Sequence, residues 1–255
     1  MRELGVLLSY DMKRRYKDGF LIGYNIIFPI LLTLLLGYLL AGSYGKEFTS
    51  YHYYSLVILP FCIAMAMITA AYVGKEEAYK KTAMRFLYAP IFKTQIVLSK
   101  LLSCTVIISV CNIIVLLFVK LVFQLPIYGE FWAIIFLLTA EAYCFCAIGM
   151  FIGLGMKNFI VIKNIINLPL CAAAILGGAF YPIGTMNDKL ELLLKLSPLT
   201  WINQSMFRYL YDGDRDYLYK ISLILILIGT GFTLLAIVRF RKEEFIHGDL
   251  PGYEK

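Results

Sequence analysis

FWAIIFLLTAEAYCFCAIGMFIGL, residues 131–154, decides the fold. Its 24 residues hold one charge, Glu141, and about 20 predominantly apolar residues suffice to cross ~30 Å of hydrocarbon as a helix. A carboxylate at the centre of such a helix costs about 2.5–3.5 kcal/mol, and each Leu, Ile, Phe or Val returns about 0.3–0.6 kcal/mol. The segment has eleven of these residues, worth roughly 3–7 kcal/mol, so it inserts in spite of Glu141.

Outward from this segment, five further stretches of the same kind cover residues 20–41, 53–73, 101–123, 159–180 and 221–238. Apolar residues make up 60% of the 255-residue chain and charged residues 16%, with a mean hydropathy of +0.76. A soluble domain has about 45–50% and about 25%. A water-soluble enzyme with a single core is excluded, and the reading is an all-α polytopic membrane protein with six transmembrane helices. The first stretch follows five basic residues and is too long, without a small-residue cleavage signature, for a removed signal peptide. No repeat and no low-complexity linker divides the chain, so residues 1–255 form one domain.

The net charge of +7 does not point to nucleic acid, because the basic residues stand at the ends of apolar runs. Of the 24, 17 fall in four regions: the N-terminus, 75–100, the connection after 131–154, and the C-terminal tail. Lys and Arg mark the cytosolic flanks of spans. A multi-pass protein of the plasma membrane with both termini cytoplasmic follows, its solvent the lipid bilayer. Cys62, Cys104, Cys111, Cys144, Cys146 and Cys171 all lie within the runs and read as small apolar side chains.

The connections carry patterns of their own. Over 3–18, Leu4, Leu8, Met12 and Tyr16 repeat every four residues beside Leu7, with Glu3, Asp11, Lys13, Arg14 and Lys17 on other faces. This predicts an amphipathic helix in the cytosolic interface, either a topology anchor or a surface for a cytosolic partner. Within 75–98, Tyr79, Ala83, Phe86, Leu87 and Pro90 fall near one face of a second cytosolic helix, which Pro90 ends. That face reads either as a docking knob for a soluble protein or as a solvated connector. On the opposite side, 186–196 is Leu-rich and ends at Ser197–Pro198. It predicts a helix that re-enters the outer leaflet, as an exit lid over the path.

Glu141 is the chemistry-bearing candidate inside the membrane, as a functional carboxylate or as a protonated structural one. Asn25, Asn112, Asn164 and Asn167 lie in or near spans and either join helices or meet cargo. Pro29, Pro60 and Pro169 are expected to bend their spans, and Gly149-x-x-x-Gly153 permits close helix contact. The histidines, His52 and His247, are placed on opposite sides of the membrane, so no metal set is expected. No G-x-x-x-x-G-K-[ST] phosphate loop occurs. If the chain serves ATP-driven transport, another polypeptide supplies the engine.

Two segments carry a family resemblance. EAYKKTAMRFLYAPIFKTQIVLSKLL, residues 77–102, is similar to an "E-x-x-x-G-T-L-E-x-L-L-x-T-P-x-x…G-K-L" stretch through Glu77, Thr82, Leu87, Pro90, Lys100 and Leu101. Lys81 stands at the Gly and Met84 at the second Glu. LGGAFYPIGTMNDKLELLLKLSPLTWINQSMFRYLYDG, residues 176–213, is similar to "SG-x-x-x-P-x-x-x-x-P…L-x-P-L-T…R-x-x-x-x-G" through Gly178, Pro182, Pro198, Leu199, Thr200, Arg208 and Gly213. Asp188 stands near the second proline. On a six-span map, both resemble the membrane subunit of an ABC-2 type exporter, and the likeness runs essentially the length of the chain.

The resemblance implies a permease that pairs with a second copy or a homologous permease. A separate ABC ATPase would bind ATP and Mg, and this chain no cofactor. Glu77, Tyr79, Thr82, Phe86, Leu87 and Pro90 would form the ATPase-coupling segment. Spans two and five would line a path between the halves, with Asn25, Glu141, Asn164 and Asn167 as candidate path residues. Gly178, Tyr181, Pro182 and Pro198 would form the outer gate. An amphipathic or lipophilic cargo (drug, peptide, lipid or glycan) suits the aromatic content. The competing readings are an ion-coupled carrier using Glu141 and a membrane sensor or assembly subunit.

Overall fold

The computed structural model describes residues 2–43, 49–125, 131–157, 159–178, 194 and 197–246. It is helical, with no strand among the described residues. The helices are α1 (Arg2–Tyr16), α2 (Gly19–Leu39), α3 (Ser50–Tyr79), α4 (Ala83–Tyr88), α5 (Lys93–Val122), α6 (Phe131–Gly155), α7 (Phe159–Leu176), α8 (Pro198–Phe207), α9 (Arg215–Val238) and α10 (Lys242–Ile246).

Five of these, α2, α3, α5, α6 and α9, are long and apolar enough to cross a membrane. The sixth expected crossing corresponds to α7, whose apolar part, Val161–Leu176, is shorter. The expected span 159–180 ends among residues outside the described set.

Several boundaries differ from the sequence reading, and charge explains the direction. Helices α3 and α5 have 30 residues each, roughly 45 Å at 1.5 Å per residue, well beyond the hydrocarbon thickness. Their surplus turns lie at one end of the bundle and carry Lys75, Glu76, Glu77, Lys93 and Lys100. The expected cytosolic helix ending at Pro90 is α4, and the rest of 75–98 is the tail of α3 and the start of α5. Lys81, at φ 54°, breaks the first junction. Ala89 is extended before Pro90, which ends α4 as expected.

Caps fix the starts of two spans. Thr49 accepts from the His52 amide at 3.4 Å while the His52 ring accepts from the Thr49 amide, a reciprocal box that starts α3. Asp18, expected inside the first helix, instead caps α2 by accepting from the Leu21 amide at 3.1 Å.

The core lies where α6 packs between α3 and α9. A Cβ at Gly149 would overlap the Met67 carbonyl, and one at Gly153 the Ala71 carbonyl. The Gly149-x-x-x-Gly153 pair is thus a close backbone crossing of α6 on α3. Gly229 makes the matching approach from α9, where its Cα faces the Tyr143 ring and Cys144. Helices α3, α6 and α9 run in one direction and α2, α5 and α7 in the other.

Helix α1 packs along α5 with a face the hydrophobic pattern did not foresee. Leu7, Asp11 and Arg15 are buried, whereas Tyr16, expected on the apolar stripe, is 72% exposed. Two charges on the buried side of a helix require partners. They have them.

Candidate functional site

The partners sit at the basic end of the bundle, where α1, the tail of α3, α4 and the head of α5 meet. Glu77 is fully buried at the centre. Its Oε1 accepts from Arg14 Nη1 at 2.5 Å and from Lys100 Nζ at 3.0 Å, and its Oε2 accepts from the Thr82 hydroxyl. Lys100, also fully buried, donates a further bond to the Val73 carbonyl at 3.3 Å.

Glu76, one residue earlier, gathers a second set: Arg14 Nε at 2.8 Å, Lys80 Nζ at 2.5 Å, and Arg15. Asp11 accepts from the Ser99 hydroxyl at 2.7 Å, tying α1 to α5 again. Just beyond α3, the Lys80 ammonium is held below its ordinary range, first by partial burial and then by the neighbouring Arg14 and Arg15 cations. Arg14 is the bridge, bonded to both Glu76 and Glu77.

This junction suspends α4. The Thr82 amide donates to the Glu77 carbonyl at 2.9 Å while its hydroxyl meets the Glu77 carboxylate. Ala83 is buried, and Phe86 points inward, its ring 6.4 Å from Tyr10 on α1 and 6.2 Å from Phe245 on α10. The outward face is a different one: Met84, Arg85, Tyr88 at 82% exposure and, just past α4, Phe92 at 71%. Of the coupling residues expected from sequence, Glu77, Thr82 and Phe86 thus hold the segment, while Tyr79 and Pro90 are exposed. The side chain of Leu87 lies outside the described residues.

The opposite end shows how α7 is terminated. The last carbonyls of a helix lack partners of their own. Here Ser197 donates to the Ala173 carbonyl at 2.9 Å, Thr200 to Leu176 at 3.3 Å and Asn203 to Gly177 at 2.8 Å. From α3, the Tyr53 hydroxyl donates to the Gly178 carbonyl at 3.1 Å. Gly178 turns the chain at φ 79°, where a side chain would strain the backbone. Pro198 opens α8, where its missing amide is no loss. Two expected gate residues, Gly178 and Pro198, therefore bracket one hydrogen-bonded joint. Tyr181, Pro182 and the expected re-entrant helix over 186–196 lie outside the described residues.

The expected path residues are not brought together. Glu141 is fully buried in α6, and neither carboxyl oxygen has a hydrogen-bond partner among the described residues. Asn25 is buried and bonded to Leu21 of its own helix at 2.8 Å. Asn164 is exposed on α7, and Asn167, one turn on, is half-buried.

Sequence reasoning named Arg14, Asp11 and Lys100 without pairing them, took Ser197 only as a helix end, and overlooked Glu76 and Asn203. The available signal was Leu7-Asp11-Arg15, a strict four-residue stripe with charges in it.

A protein-family model described as ABC-2 type transporter matches residues 2–211. That span includes the charged junction, α4 and the joint between α7 and α8. No curated protein matches the chain.

Proposed function

The chain belongs to the ABC-2 type transporter family, and on that premise we propose that it is the permease subunit of an ATP-driven exporter. It works with a separate ABC ATPase that binds ATP and Mg, and with a second copy of itself or a homologous permease. It crosses the plasma membrane six times, α7 being the remaining crossing, with both termini and the charged junction in the cytosol. Residues 1–255 act as one domain.

The observation that carries this reading is the build of α4. A six-residue helix with exposed Met84 and Tyr88 is fixed to two spans through Glu77. A push on that helix reaches α3 through Thr82 and α5 through Lys100, because buried charge pairs yield as units and not by degrees. ATPase closure then favours one arrangement of the paired bundles over another.

The path runs between the two permeases, with Asn164 on the exposed face of α7 and half-buried Asn167 beside it as its polar lining. Asn25 and Glu141 stand behind it as supporting residues. The joint of Gly178, Pro198 and α8, together with Tyr181 and Pro182, is the outer gate. The cargo is amphipathic or lipophilic, in keeping with α7's mixture of amides with Ile165, Leu168 and Ile175.

The test is purification of the full chain from its native membrane in mild detergent, followed by mass spectrometry and an ATP hydrolysis assay. A copurifying P-loop ATPase whose turnover depends on the permease is expected. A chain recovered without any ATPase would contradict the reading.

A further inference from the structure

An open cavity of about 330 Å³ lies at the basic end, lined by Lys157, Arg241, Lys242 and Glu243. Lys157 follows α6, and the other three follow α9. We propose that this cavity holds the phosphate of an anionic phospholipid headgroup. The proposal needs only that the chain crosses a membrane, and it stands apart from the transport reading.

The contrast with the neighbouring junction is the first argument. There Arg14, Arg15, Lys80 and Lys100 all have carboxylate partners. Around the cavity, Lys157, Arg241 and Lys242 have no ion pair among the described residues, and Glu243 offsets only one of the three charges. Three cations and one carboxylate lining an open void leave a place for an anion with a net charge of about +2 among the described residues.

The second argument is that the floor is fixed. The Arg241 amide donates to the Leu154 carbonyl at the end of α6, 3.2 Å away, and the Phe245 amide donates to the Arg241 carbonyl at 3.0 Å. Phe245 is buried, 5.3 Å from Phe240 and 6.2 Å from Phe86. Arg241 and Lys242 are therefore held at the end of α9 by packing as well as by the chain.

The position selects a lipid over a soluble phosphate. The last turns of α9, leading directly to the cavity, expose Leu234, Leu235 and Val238. Acyl chains can lie along that strip while the headgroup phosphate sits among the cations. A free phosphate would use the cations and leave the strip bare. Basic pockets between spans at the membrane surface suit anionic headgroups for this reason.

Native mass spectrometry of the full chain in neutral detergent tests this, with phosphatidylglycerol and phosphatidylcholine of identical acyl chains as probes. At roughly fivefold per unit of charge near the surface, the net charge of about +2 gives a preference for phosphatidylglycerol of roughly 25-fold. The Lys157→Gln, Arg241→Gln, Lys242→Gln variant should bind both lipids alike. Lys157→Arg with Lys242→Arg should keep the preference, as should Lys13→Gln on α1 with Lys17→Gln just past it. Should the triple variant aggregate, Lys242→Gln alone is expected to lose about fivefold. The absence of a preference in the parent, or a variant that binds phosphatidylglycerol unchanged, would overturn the proposal. So would displacement of the lipid by equimolar glycerol phosphate, which would identify a soluble-phosphate site.

Discussion

Thr82 hangs from Glu77 by two bonds: its amide donates to the Glu77 carbonyl at 2.9 Å and its hydroxyl to the Glu77 carboxylate. The same carboxylate receives Arg14 from α1 and Lys100 from α5. One side chain thereby fixes where a chain reversal stands relative to α3, α5 and α1.

Replacing Glu77 by Gln leaves the Lys100 ammonium buried without its counter-charge, at a cost of about 3–5 kcal/mol. A large fall in the thermal midpoint of the detergent-solubilised chain is expected. Adding Lys100→Met should recover part of that loss, because an apolar side chain replaces the orphaned cation. A double variant no more stable than Glu77→Gln would show that Lys100 does not depend on Glu77.

Gly153 and Gly231 should respond in opposite senses to alanine. At Gly153 the new Cβ would overlap the Ala71 carbonyl, and overpacking of this kind costs about 1–3 kcal/mol. At Gly231, inside α9, a Cβ meets nothing within 4 Å, and replacing a helical glycine by alanine gains roughly 0.5–1 kcal/mol. Thermal unfolding of the two variants side by side gives the comparison.

Thr200→Ala and Asn203→Ala each leave a carbonyl at the end of α7 without its donor. A loss of about 1 kcal/mol apiece is expected. Hydrogen exchange should quicken at the Gly177 and Gly178 amides and stay unchanged at the opposite end of the bundle. Uniform quickening would mean that α8 supports the whole bundle and not this joint.

Glu141→Gln should leave ATP-driven transport intact, because the carboxylate is fully buried within α6 and has no hydrogen-bond or ionic partner among the described residues. Transport measured in vesicles with ATP and then with an imposed pH gradient separates the cases. Dependence on the gradient together with loss in Glu141→Gln would favour the ion-coupled carrier.

The long apolar helices were legible because a period of 3.6 and a run of about 20 apolar residues are local properties. The surplus turns of α3 and α5 were not, since Glu76, Glu77 and Lys100 look like solvent-facing charges until their partners are known. The inward face of α1 escaped for the same reason: Asp11 and Arg15 count as polar in any hydrophobic pattern, yet are buried against α3 and α5. Pro90 and the glycines at 149 and 153 were read correctly as a helix stop and a close crossing. The exposed face of α4 carries Met84, Arg85 and Tyr88, and not the Phe86 face named from sequence. Sequence placed Phe86 toward a partner, whereas the rings of Tyr10 and Phe245 take it inside. Aromatic side chains mark both cores and docking faces, and only the neighbours decide between them.

The central claim is that the outward face of α4 receives a separate ATPase, and Tyr88 tests it most directly. Its side chain is 82% exposed, so Met84→Asp with Tyr88→Asp should fold and insert as the parent does. Affinity purification of parent and variant from the native membrane, with quantitative mass spectrometry, measures the ATPase retained by each. The account predicts an ATPase in comparable amounts with the parent and a loss of at least about tenfold with the variant, which corresponds to roughly 1.4 kcal/mol. Equal recovery from both, at matched amounts of folded chain, would contradict it.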